Sequence, residues 1–119
     1  MKRDWDVIRD VLLAVEALDA KEFENIAFEV AEDDERKTAQ HAVLLFKYGF
    51  IEGADASTMD GDCVLARGLT WAGHDLLQTI QSKPVWEKVK ATAQDKGIEL
   101  TFEAVKKLGS VALDAVLAA

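Results

Sequence analysis

The run Thr70-Trp71-Ala72-Gly73-His74-Asp75 gathers the most chemistry-bearing side chains in this sequence. His74 beside Asp75 has the composition of a general base and an orienting carboxylate. Consecutive residues on a helix, however, point about 100° apart and do not face each other. No serine or cysteine nucleophile is placed near them by a motif. The run therefore reads as structural. Thr70 caps a helix, Trp71 anchors it in the core and Gly73 admits a neighbouring element. His74 bonds a backbone carbonyl or faces water, and Asp75 completes the motif. Cys63, the single cysteine, reads as a small strand hydrophobe, because no His or Asn lies close in sequence to activate a thiolate. His41, His74 and Cys63 are too scattered for a metal-ligand motif. Asp55, Asp60 and Asp62 lack the alternating carboxylates and terminal glutamate of a calcium loop. No glycine-rich phosphate loop is present. Neither catalytic, cofactor-binding nor metal-binding residues are expected, and an enzyme is not.

A second cluster could touch nucleic acid. Arg36, Lys37, Gln40 and His41 fall at helical spacing, and Arg67 lies on a later strand. Arg and Gln can read guanine and adenine edges in a major groove. Against this stands the charge. The chain carries a net charge of −8, with 7 basic and 12 acidic groups in residues 1–50 and 7 and 10 in residues 51–119. Neither half has the basic surface that phosphate binding normally requires. Glu32, Asp33, Asp34 and Glu35 precede Arg36 directly. They complement a helix dipole and would also repel phosphates.

The elements that position these residues follow from periodicity. Residues 4–18 read as a helix capped by Asp4 or Asp6, with Trp5, Ile8, Leu12 and Val15 inward. Residues 23–30 fit a helix or a strand. Their β-branched and aromatic residues favour a short strand. Residues 33–48 read as a second helix, with Ala39, Ala42, Val43 and Phe46 inward and Gly49 in a left-handed turn after it. Phe50–Ile51 starts an extended segment, 53–62 is turn chemistry, and 63–69 is the returning strand. Helix, strand, loop, strand is the order of a wing, and 33–48 takes the recognition-helix place before it. Thr70 caps a helix over 71–81, with Trp71, Leu76, Leu77 and Ile80 inward. Pro84 opens a helix that Gly97 ends. Thr101 caps a last helix to about Leu117. Its small residues, Gly109, Ser110, Ala112, Ala115, Ala118 and Ala119, suit close packing within the chain or across a dimer.

The fold class expected is α+β and mostly helical. It comprises a winged-helix-like core over 1–81, made of helix, short strand, helix and β-hairpin, and a helical extension over 82–119, within one domain. The chain of 119 residues, half of them apolar, can bury a core. Trp5, Phe46, Leu65, Trp71, Leu77 and Trp86 are the expected core anchors. Trp71→Ala is then expected to cost about 3–5 kcal/mol. No run approaches the roughly 18 apolar residues of a membrane span, and Met1–Asp6 turns acidic at once, without the apolar stretch of a signal peptide, so secretion is not expected. With one cysteine, a reducing cytoplasm is the expected compartment.

Several of these residues also carry a family likeness. Met1-Lys2-Arg3-Asp4-Trp5-Asp6-Val7-Ile8-Arg9 is followed by Gln40-His41 through Leu44-Leu45 to Gly49-Phe50-Ile51-Glu52-Gly53. Then come Leu69-Thr70-Trp71-Ala72-Gly73-His74-Asp75-Leu76-Leu77 and Val85-Trp86-Glu87-Lys88-Val89. In this order the chain resembles, over nearly its whole length, a family of small bacterial and prophage-encoded proteins classed as a domain of unknown function. The resemblance implies a winged-helix-like fold and a regulatory or host-interaction role. It transfers no catalytic residue.

The function expected is that of a phage or prophage-type accessory protein that binds a macromolecule without catalysing a reaction. A protein partner, basic in charge, is the leading expectation. A winged-helix DNA-binding regulator is the alternative, which the net charge disfavours. No cofactor and no membrane contact are expected, and a homodimer through the last helix is a further option.

Overall fold

A computed structural model describes residues 3–18, 24–25, 35–59 and 61–118. It is α+β and mostly helical, with a β-hairpin, as expected. The chain divides into two compact units, 1–74 and 75–119.

The first unit opens with α1, Trp5–Glu16. Asp4 is its cap, since one carboxylate oxygen accepts from the backbone N–H groups of Asp6 and Val7 at 3.0 and 3.3 Å. Ile8, Val11, Leu12 and Val15 form its buried stripe. A two-residue strand follows, β1, Glu24–Asn25. The remainder of the segment 23–30 lies outside the described residues, as do Glu32, Asp33 and Asp34. Helix α2, Glu35–Lys47, buries Ala39, Ala42, Val43 and Leu45. It ends at Gly49, whose φ of 82° is the left-handed conformation that costs a glycine nothing.

Strands β2, Ile51–Asp55, and β3, Val64–Leu69, pair antiparallel, and β1 joins the other edge of β3. The sheet order is β1-β3-β2. Strand β2 is longer than the turn-rich sequence suggests. Gly53 makes this feasible, because a Cβ there would strike the Leu65 carbonyl oxygen. The register slips between Glu52 and Gly53, a bulge that absorbs one residue and increases the twist. Beyond Asp55 the turn chemistry takes over. The Asp55 carboxylate accepts from the Ser57 N–H at 2.9 Å, and Thr58 bridges to Gly61. Cys63 lies just before β3 and is half-buried, its carbonyl accepting from Ala56 at 2.9 Å.

Helix α3, Trp71–Gln81, starts in the first unit and ends in the second. The second unit also holds α4, Lys83–Lys96, and α5, Phe102–Ala118, which pack on each other. Gly97, at φ 64°, ends α4, and the Ile98 N–H returns to the Ala93 carbonyl at 3.0 Å. The Thr101 hydroxyl accepts from the Ala104 N–H at 3.0 Å and starts α5. Val85, Trp86, Val89 and Ala93 of α4 are buried, as are Phe102, Val105, Gly109 and Ala112 of α5.

The core differs from the expected list at its largest members. Leu77 and Trp86 are buried. Trp5, Phe46 and Leu65 are half-buried. Trp71 is not in the core at all, with 87 % of its surface exposed. As the first residue of α3 it precedes the turn whose Leu76, Leu77 and Ile80 face inward. An aromatic at a helix start adds to the apolar count of the segment without belonging to its stripe. Its angular position puts it outside that stripe.

Candidate functional site

The sequence puts His41 among the candidate nucleic-acid contacts of α2. The structure corrects this: the imidazole is completely buried. Its Nε2 accepts from the Asp4 backbone N–H at 2.9 Å, and its Nδ1 lies 2.8 Å from the Lys37 carbonyl oxygen. An N–H donor at Nε2 and a carbonyl oxygen at Nδ1 place a hydrogen on Nδ1. Lys37 closes the circuit. Its ammonium donates to the second Asp4 carboxylate oxygen at 2.6 Å. That bond, with the N–H groups of Val7 and Asp6, holds the Asp4 carboxyl below the usual carboxylate range despite partial desolvation. Asp4, Lys37 and His41 thus clamp the start of α1 to the body of α2. Two residues expected to read DNA are committed to holding helices together. Asp4 was legible in the sequence only as a cap, because its partners lie 33 and 37 residues away.

Of the other expected nucleic-acid contacts, Arg36 is exposed and Gln40 half-buried on α2. Arg67 stands on β3, 3.9 Å from the Glu52 carboxylate. The fold brings Arg67 and His74 to one cleft of about 280 Å³, where Glu16 and Glu52 also project. Two basic groups therefore meet two acidic ones. Ion pairing is the chemistry available there, and the cleft lining includes neither the cysteine nor a serine. A basic patch around Arg36, Lys37 and Arg67 would favour DNA, but Lys37 is paired with Asp4 and Arg67 faces Glu52.

The Thr70–Asp75 run forms a joint. The Thr70 hydroxyl donates to the Gly49 carbonyl and accepts from the Gly73 N–H at 3.1 Å. The Thr70 N–H donates to the Phe50 carbonyl at 3.2 Å. Gly73 is buried against that same Phe50 carbonyl, where any Cβ would collide. His74 and Asp75 are exposed. Trp71 and Tyr48 flank this joint on the outside, at 87 and 60 % exposure. The Tyr48 and Phe50 rings stack with centroids 6.4 Å apart and planes within 8°. Sequence reasoning missed Tyr48, whose place at a helix end gives no periodic signal. Trp86, the other motif tryptophan, is buried on α4 beneath Lys90, whose ammonium lies 5.8 Å from the ring centroid. Trp5 is half-buried at the start of α1.

Among the described residues, no three His, Cys, Asp or Glu side chains are grouped to hold a metal ion. No described helix is long and apolar enough to cross a membrane. The net negative charge is confined to one part of the chain. Residues 1–74 carry 8 Lys and Arg against 16 Asp and Glu, whereas residues 75–119 carry 6 of each.

No solved structure matches the chain. An uncharacterized protein of Haemophilus influenzae is 33 % identical over 118 residues, covering 99 % of this chain and all of that one. The model of a family described as hypothetical protein (DUF2513) matches residues 2–99. Those residues include the Asp4–Lys37–His41 clamp and the Thr70–Gly73 joint, and with this match the chain belongs to the DUF2513 family.

Proposed function

We propose that this protein is a non-enzymatic binding module whose acidic part, residues 1–74, engages a basic protein partner. The observation that carries the reading is the placement of charge: the whole net charge of −8 falls in residues 1–74. A net negative charge of this kind steers association with an oppositely charged protein and repels phosphates. The use of Lys37 and His41 as a clamp supports it further, by removing two of the five residues available for DNA. The setting is that of a phage or prophage-type accessory protein, as the family likeness implies, in the reducing cytoplasm that a single cysteine suits. Self-association through α5, where Val111, Leu113 and Leu117 are exposed, belongs to the same reading.

A winged-helix DNA-binding regulator is the second reading. The topology favours it: β1 pairs with the return strand of a hairpin that directly follows α2. A duplex titration at stepped salt separates the two. The protein-binding reading expects no duplex binding at about 50 mM salt, and capture of basic proteins from host lysate that fades as salt rises. Duplex binding at low salt with a steep salt slope, lost on Arg36→Ala, would establish the regulator instead.

A further inference from the structure

We propose that a groove walled by α3, α4 and α5 takes the side chain of a lysine carried by a partner protein. The groove lies wholly within residues 75–119, so the inference is independent of the charge on residues 1–74. Its volume is about 340 Å³. That is the small end of the range of ligand sites, about 300–1,000 Å³, and suits one side chain rather than a cofactor. The groove also gives a task to Asp75, the one member of the Thr70–Asp75 run that the joint with the Gly49–Phe50 turn does not use.

The lining specifies the occupant. Asp75, Gln78 and Ser82 follow one another at helical spacing and supply its polar part. No hydrogen bond or ion pair joins these three side chains to a described residue. Ser82 is the N-cap of α4, yet its hydroxyl makes no capping bond. Val85, Leu113 and the Gly109 backbone supply the apolar part. Gly109 lets α5 come this close to α3, since a Cβ there would strike the Thr79 methyl. Asp75 is the single ionised side chain in the lining, and no base neutralises it, unlike the cleft where Arg67 faces Glu52. A lysine matches each part. Its aliphatic stem covers Val85 and Leu113, and its ammonium has three donors for the Asp75 carboxylate, the Gln78 carbonyl and the Ser82 hydroxyl. The flat fork of an arginine fits three acceptors on separate side chains less well, and an anion is repelled by Asp75.

The test titrates the full chain with the peptide acetyl-Gly-Lys-Gly-amide at about 20 mM salt and follows the NMR signals of the Val85 and Leu113 methyls and the Gly109 N–H. These signals are expected to shift saturably. Asp75→Asn, a change of equal size at an exposed position, should weaken binding by about twofold to fivefold, as should acetylation of the peptide's lysine or its replacement by norleucine. Glu103→Gln, an exposed acid outside the lining, should leave it unchanged. Equal binding of the norleucine peptide, or an unaltered affinity in Asp75→Asn, overturns the lysine assignment. Shifts confined to residues 1–74, or no saturable shift, overturn the groove as a site. None of these outcomes touches the reading of residues 1–74, which stands or falls on the capture of basic proteins.

Discussion

His41 shows how one buried ring can organise two helices. Both nitrogens are satisfied, one by the Asp4 N–H and one by the Lys37 carbonyl. His41→Leu fills the space but strands the Asp4 N–H. The loss should be about 1–3 kcal/mol in urea denaturation, the usual cost of an orphaned buried donor. Trp71 makes the opposite case. Its size and its place in an apolar pattern predict a core anchor and a loss of about 3–5 kcal/mol on truncation. Its exposure reverses that expectation. Trp71→Ala should change stability by no more than about 0.5 kcal/mol, as exposed substitutions generally do. The same denaturation experiment measures both variants. The two residues also mark the limit of reading side chains one at a time. A histidine among Arg, Lys and Gln resembles a groove reader until its partner Asp4 is folded against it.

Elements meet at two joints. At the first, the Asp4 carboxylate caps α1 and receives Lys37 from α2. Its folded pKa is held below the unfolded value by the Lys37 hydrogen bond first, then by the backbone N–H groups. The stability it contributes is therefore present above the ordinary carboxylate pKa, near 3.9, and is lost as pH falls through the lower folded value. Asp4→Asn keeps a capping oxygen but not the charge. The stability gap between wild type and Asp4→Asn should be open at about pH 6 and close as acid protonates Asp4. With both partners a third or more exposed, that gap stays at about 1 kcal/mol or less. At the second joint, Gly73→Ala drives a methyl into the Phe50 carbonyl, a backbone atom that cannot turn aside. A loss of about 1–3 kcal/mol is expected by thermal or chemical unfolding. Gly68→Ala, with open space around it, serves as the comparison and should be tolerated. Helix limits, caps and the Gly49 and Gly97 stops were legible because they depend on chain neighbours. The extra length of β2 was not, because it depends on Gly53 passing close to Leu65 on another strand.

For the whole molecule, charge is the leading property. Sixteen acidic groups against eight basic ones in residues 1–74 leave an excess of like charge that repels itself. Salt screens such repulsion over about 10 Å at 0.1 M. The melting temperature should therefore rise as sodium chloride goes from about 0.02 M to 0.3 M. A melting temperature that falls instead would mean that attractive pairs such as Lys37–Asp4 outweigh the repulsion. Residues 75–119, with equal numbers of acids and bases, add little to this dependence.

Composition, periodicity and turn chemistry by themselves determined the α+β class, the order of elements, the helix caps and the net charge of −8. Each of these is a local or additive property, which needs no knowledge of what lies across the fold. The tertiary structure alone decided the fates of His41, Lys37 and Trp71. Burial and hydrogen bonding are set by residues tens of positions away, so a ring that seems to face a groove becomes a clamp. A tryptophan that seems to anchor the core is left on the surface, 87 % exposed.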